Sequence, residues 1–444
     1  MSSPTVLFPR VTAAIEPSEN EIVHFLRCAP AVAGDDATGL LNLRIRITNN
    51  DSKAIRINEI KISVSGTAAK TFSVNLPALD QSPLGVGSSI SWIQEDDYVF
   101  AIPQSPRLKL EISADGFPQP AIIRTDLVPH VNPTPTGSYR FWGRVDDLEP
   151  GEYWQVHGTS HAQTREQMFA YDVGVAASSG SEYDLLKSNT NGEPDWGSRN
   201  EHHRIWGKSI YAVAAGEVTH WLNNFPGNQR ASNTLSRGIH ARIEAIGHGN
   251  GNFFTITTGN ETVLYAHMQE GSLNEDLLRT GAQVDTGDFL GLAGNSGASS
   301  RPHLHIHANR SNTGNQSWAD LARPMVFRKA AAVAWSALGD FNESPWARVD
   351  GLGMPTASCA VWPAYPPPRR PDIGVEATID PLALVLTGTV YVDLTLPDPP
   401  PFEAVRDRLR TLIQKMSPAE KKKALHRMKA LGSFYKEIQH EFER

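Results

Sequence analysis

The stretch GNSGASSRPHLHIHANR, residues 294–310, sets three histidines at alternate positions of an apolar, strand-forming run. Successive side chains of a strand point to opposite faces, so His303, His305 and His307 are expected on one face. Three imidazoles crowded together behind a turn of small residues have the look of part of a metal site.

Composition limits what such a site can belong to. A chain of 444 residues is too long for one ordinary core, and two to four domains are expected. With 40% hydrophobic and 20% charged residues the sequence reads as soluble and globular. The formal net charge of -7 argues against a general nucleic-acid binder, which needs a basic balance to neutralise phosphates. Nothing resembles a transmembrane span of about 20 apolar residues. The opening MSSPTVLFPRVTAAIEPSENE lacks the basic and apolar regions of a secretory signal. Cys28 and Cys359 are too few for a disulfide framework or a thiolate zinc site, and could be reduced core residues or one long-range bridge.

Outward from the histidine run, the pattern divides the chain. Within residues 1–128 Leu41, Leu43, Ile45 and Ile47 alternate, Asn49, Asn50 and Asp51 supply a turn, and Ile55, Ile57, Ile60, Ile62 and Val64 resume. Leu108, Leu110 and Ile112 lead to Asp115-Gly116, a hairpin signal, so an immunoglobulin-like β-sandwich is expected. Residues 129–138 read as a Pro-rich linker, 139–345 as the segment carrying the chemistry, and 346–400 as a Pro-rich segment with short strands. Residues 401–444 carry two helical stripes: Val405, Leu409, Leu412, Ile413 and Met416, then Leu425, Met428, Leu431, Tyr435 and Ile438. Ser417-Pro418-Ala419-Glu420 between them fits a capping box, giving a helical hairpin. With 11 Lys and Arg against 6 Asp and Glu it is basic, which suits either a solvated face or docking to an anionic wall surface or delivery machinery. The fold class expected is therefore mainly β and multidomain.

Four motifs in order then point to a family. AYDVGV (170–175), WGKSIYAVAAGEV (206–218), LYAHMQEGSL (264–273) and GAQVDTGDFLGLAGNSGASSRPHLHIH (281–307) resemble, over roughly residues 155–335, the lysostaphin-type, or LytM-like, zinc endopeptidases. The resemblance implies a central antiparallel β-sheet domain, a Zn²⁺ cofactor and bacterial peptidoglycan as substrate. Carried over residue by residue, it makes Asp172 and His305 zinc ligands, and His267 and His303 the catalytic pair beside the metal. The family's first ligand, a histidine four residues before the aspartate, is replaced here by Met168. Its role is assigned to His161, with His157, His202 and His203 as the other candidates. His307 is left between holding a ligand in place, lining the groove and simple solvation. Arg301 faces either substrate or solvent, and Asn295 and Ser296 serve the tight turn. The insertion between Asp172 and Trp206 is expected to wall the substrate groove. Without a visible signal, action on wall implies a non-Sec route or release by lysis. Two other readings stay open: a LytM-like binding module that has lost its chemistry, and a zinc peptidase acting on a non-wall peptide.

Overall fold

Alternation of apolar and polar residues makes strands wherever one face can be buried, and strands dominate this chain. The computed structural model describes residues 5–7, 11–19, 22–73, 83–93, 97–156, 165–179, 182–232, 234–311 and 321–364. The expected helical hairpin over 401–444 lies outside the described residues, as do His157 and His161. Among the described residues the single α-helix is Arg237–Ile246, capped by the Ser236 hydroxyl and ended by Gly247 in the left-handed region, φ 75°. No helix among them is long and apolar enough to cross a membrane.

The N-terminal region is two sheets closed on one core. Thr5–Leu7, Val11–Glu16, Arg44–Asn49 and Ser89–Ile93 form the first. Ile22–Cys28, Thr38–Leu41, Ile57–Val64, Tyr98–Ala101, Arg107–Ala114 and Ala121–Pro129 build most of the second. Ile15, Ile45 and Ile47 from one meet Phe25, Ile60, Ile62 and Leu110 from the other. The alternating run Leu41, Leu43, Ile45, Ile47 is fully buried as its pattern demands, yet the chain passes from one sheet to the other at Asn42-Leu43. Asn42 is buried at that crossing, and its amide donates to the Met168 carbonyl at 2.7 Å.

The second core joins that region to the rest of the chain. Leu26, Cys28 and Leu40 pack with Trp142, Trp154, Tyr171 and Phe327, and Gly353 lies so close to Leu26 that a Cβ would come within 2.6 Å of it. Cys28 and Cys359 are both free and buried in this core, so no bridge links them. The Pro-rich stretch after Pro129 is docked: Glu261 accepts from Asn132 at 2.9 Å and from the Tyr139 hydroxyl at 2.5 Å, and faces His130 at 2.7 Å.

A twelve-stranded sheet carries the site. Along it run Gly216–Leu222, Asn252–Thr258, Glu261–Met268, Leu304–Arg310, Tyr171–Ser179 and Glu152–Val156 in spatial order. The sheet continues past residue 345, because Ala347–Val349 and Cys359–Trp362 join it beside Ala330–Ala334. The histidine strand is thus central, between Glu261–Met268 and Tyr171–Ser179, all antiparallel.

Candidate metal centre

Register brings the first pair together. Asp172 lies directly opposite His305 across the sheet, on the same face, and its Oδ1 is 3.0 Å from His305 Nδ1. On the other side Ala266 is the residue opposite His305, so a regular strand would turn His267 to the far face. It does not, because Glu261–Met268 carries an extra residue against its neighbour and His267 sits at φ 65°. This left-handed conformation is costly for a residue with a Cβ, and it swings the ring back. The His267 ring centre consequently stands 4.7 Å from that of His303 and 5.8 Å from that of His305.

The GNSG turn fixes the two flanking imidazoles. Gly297 has φ 74°, and a Cβ there would meet the Gly249 carbonyl at 2.3 Å. Ser296 Oγ donates to the Met268 carbonyl at 2.8 Å and accepts from Asn252 N at 2.9 Å. The Ser296 carbonyl takes a hydrogen bond from His267 Nδ1 at 2.8 Å, and the Arg301 carbonyl takes one from His303 Nδ1, also at 2.8 Å. A carbonyl only accepts, so Nδ1 is the protonated nitrogen in both rings and each Nε2 carries a lone pair. Burial, and then the neighbouring His303 and His305, hold the His267 imidazole well below its ordinary range; the Ser296 bond and Asp172 offset part of this. Burial also lowers His303, against the opposing pull of Asp172, whose Oδ1 is 3.5 Å from His303 Nε2. Both rings are therefore neutral bases at pH 7.

His307 is buried, not solvated, and its Nδ1 is 2.9 Å from His305 Nε2. Asn309, two residues further along the same face, directs its amide nitrogen to the Glu166 and Ala308 carbonyls, at 2.8 and 3.1 Å. Its oxygen then accepts from His307 Nε2 at 3.2 Å, which leaves His307 Nδ1 as an acceptor and makes His305 Nε2 the donor. The His305 Nδ1 lone pair is thereby turned toward the Asp172 carboxylate. Two lone pairs 3.0 Å apart share either a proton or a metal ion, and hard carboxylate with imidazole is a donor set that suits zinc. Asp172 and His305 are thus two donors of the kind that the family resemblance implies for zinc. Sequence reasoning left His307 between holding a ligand, lining the groove and solvation, and missed the parts played by Asn309 and the Ser296 carbonyl, although the HxHxHxN alternation puts all four side chains on one face.

Among the described residues no third His, Cys, Asp or Glu completes a group of metal donors with Asp172 and His305. Met168 is fully buried in the core and supplies none. His202 is engaged away from the site: Gly197 N and Arg199 Nε lie 3.0 and 2.9 Å from its two ring nitrogens, one of which can accept in the neutral ring, and it stacks on Trp196 at 4.0 Å. His203 has Nε2 tied to the Gly197 carbonyl at 3.1 Å and lines a cavity beside Asp172 instead. His161 and His157 lie outside the described residues.

Residues 203–317 match the model of peptidase family M23, a span that contains His267, His303 and His305. The chain carries an M23, LytM-like domain. Similar solved structures include the catalytic domain of lysostaphin from Staphylococcus simulans, 19% identical, covering 32% of this chain and 84% of that one with a TM-score of 0.18. A putative M23 peptidase from Pseudomonas aeruginosa is 15% identical over 66% of this chain and 92% of its own, TM-score 0.19. A zinc-containing peptidase from Vibrio cholerae is 13% identical over 65% and 87%, TM-score 0.19. No curated protein matches the chain. Asp172 precedes the matched M23 span, and its pairing with His305 is what ties it to the site.

Proposed function

We propose that the chain is a zinc-dependent endopeptidase that hydrolyses peptide bonds of bacterial peptidoglycan. The observation that carries this reading is the convergence of the Asp172 carboxylate and His305 Nδ1 beside two neutral imidazoles, His267 and His303. Asp172 and His305 hold the metal, and His161 supplies the third protein ligand. Zinc, when bound there, polarises a carbonyl and acidifies a water to a pKa of about 7. His303 Nε2, beside Asp172, is placed to take a proton, and the carbonyl of Arg301 steadies the imidazolium that forms. His267, its Nδ1 hydrogen held by the Ser296 carbonyl in a dry setting, presents a second basic Nε2, which donates to developing negative charge only after it has taken up a proton there.

The sheet pair of the N-terminal region, read as an immunoglobulin-like sandwich, and the basic helical hairpin that the sequence of residues 401–444 leads us to expect would place the enzyme on wall or engage a delivery machine. One observation favours a second reading, a binding module without chemistry: Met168 occupies the usual ligand position and is locked in the core. Zinc content of the purified chain and mass spectrometry of digested peptidoglycan separate the two. The enzyme reading expects stoichiometric zinc, cleaved stem peptides or cross-bridges, and loss of both on His305→Ala. Intact wall with no bound zinc would overturn it.

A further inference from the structure

Beside the catalytic face lies a cavity of about 80 Å³, lined by Asp172 and His303 together with Leu185, His203, Ile205 and Pro302. Arg301 stands at its rim, exposed. Among the described residues no carboxylate lies within ion-pair reach of its guanidinium. Its neighbours there do not compensate it: burial lowers the His203 imidazole, its bond to Gly197 opposes this, and the Arg301 charge lowers it further. The backbone of Arg301, by contrast, is pinned. Its carbonyl accepts from His303 Nδ1 and from Ser299 Oγ, each at 2.8 Å, and Pro302 restricts the next φ. A cation with five donors in a fixed fork is thus tethered two residues from a proton-handling imidazole. The cavity it guards has room for a few atoms, not a large side chain.

We propose that Arg301 is a specificity-determining residue that takes a free carboxylate of the peptide substrate, close to the bond that is cut. The ligand class follows from the fork geometry of guanidinium, which pairs with a carboxylate through two parallel hydrogen bonds. The substrate is then an acidic stem peptide, since an all-glycine cross-bridge offers no side-chain carboxylate. This rests on the peptidase reading above and names its substrate.

The test compares two synthetic stem peptides that differ in one group, the glutamyl α-carboxylate free or converted to carboxamide. Cleavage by the zinc-loaded full chain is followed, and equilibrium binding of both peptides to the zinc-free chain is measured separately. A preference of about ten- to a hundred-fold for the free acid is expected, mostly in KM and Kd. Arg301→Gln is expected to erase the difference between the peptides and Arg301→Lys to restore part of it. Equal handling of acid and amide by the unaltered chain, in cleavage or in binding, overturns the assignment of Arg301. Preferential binding without any cleavage upholds Arg301 and overturns the peptidase reading instead.

Discussion

His307 Nδ1 accepts from His305 Nε2 at 2.9 Å, so the third histidine of the strand acts on the Asp172 pair through the second. Asn309 and the Glu166 carbonyl continue the relay, which fixes the ring and tautomer of His305. Outer partners of this kind are worth roughly 10- to 100-fold in metal affinity. His307→Ala is expected to weaken zinc binding by that factor in a chelator competition, with His307→Gln, whose carbonyl can accept, recovering part of it. Unchanged affinity in His307→Ala would show that the tautomer is set elsewhere.

Strain at His267 separates stability from activity. Its φ of 65° is a conformation in which a Cβ costs about 1–2 kcal/mol. His267→Gly and His267→Ala both delete the imidazole and its bond to Ser296, but glycine relieves the backbone. We expect the glycine variant to be about 1 kcal/mol more stable than the alanine variant in urea unfolding. Each should lose on the order of 10²- to 10⁴-fold in kcat. An alanine variant as stable as the glycine one would mean that the strain is absorbed by the surrounding bulge.

The strand HLHIH and the buried alternations of the N-terminal region were legible because each depends only on period two, whereas Asp172 came from the resemblance of AYDVGV to the family's aspartate segment, and its place opposite His305 needed the sheet register. The route of His267 to the site was not: register alone sends it to the far face, and a bulge has no sequence signature in YAHM. Leu41 to Ile47 shows the same limit in another form. Burial of every second residue is readable, but the change of sheet at Asn42 depends on a distant carbonyl, that of Met168. His202, a candidate ligand by proximity in sequence, is claimed by Trp196, Gly197 and Arg199, contacts made by an insertion with no periodic pattern.

Glu261 anchors the stretch that follows the N-terminal sheets. Its carboxylate is buried and is shared by His130, Asn132 and the Tyr139 hydroxyl. Removing one partner from such a cluster strands the others, at a cost of about 3–5 kcal/mol. Glu261→Ala is expected to lower the unfolding free energy by an amount of this order and to increase proteolysis near Pro133. A loss below 1 kcal/mol would show that water replaces the carboxylate.

Asp147 gives a pH dependence whose sign is fixed. Burial raises its carboxyl to about 6; the Tyr211 hydroxyl at 3.2 Å, Arg144 and Ser209 pull the other way, and Asp146 adds to the rise. In the unfolded chain an aspartate titrates near 3.9, so between the two values the folded state binds the extra proton. Its contribution to stability is therefore fully present below about pH 4 and is lost as pH rises through about 6. Asp147→Asn removes that one proton from the linkage. The stability difference between the variant and the unaltered chain, from urea titrations at intervals between pH 4 and pH 8, should shift in favour of the asparagine as pH rises across that window and be level on either side. A difference independent of pH would place the Asp147 carboxyl at its ordinary value, ionised against Arg144.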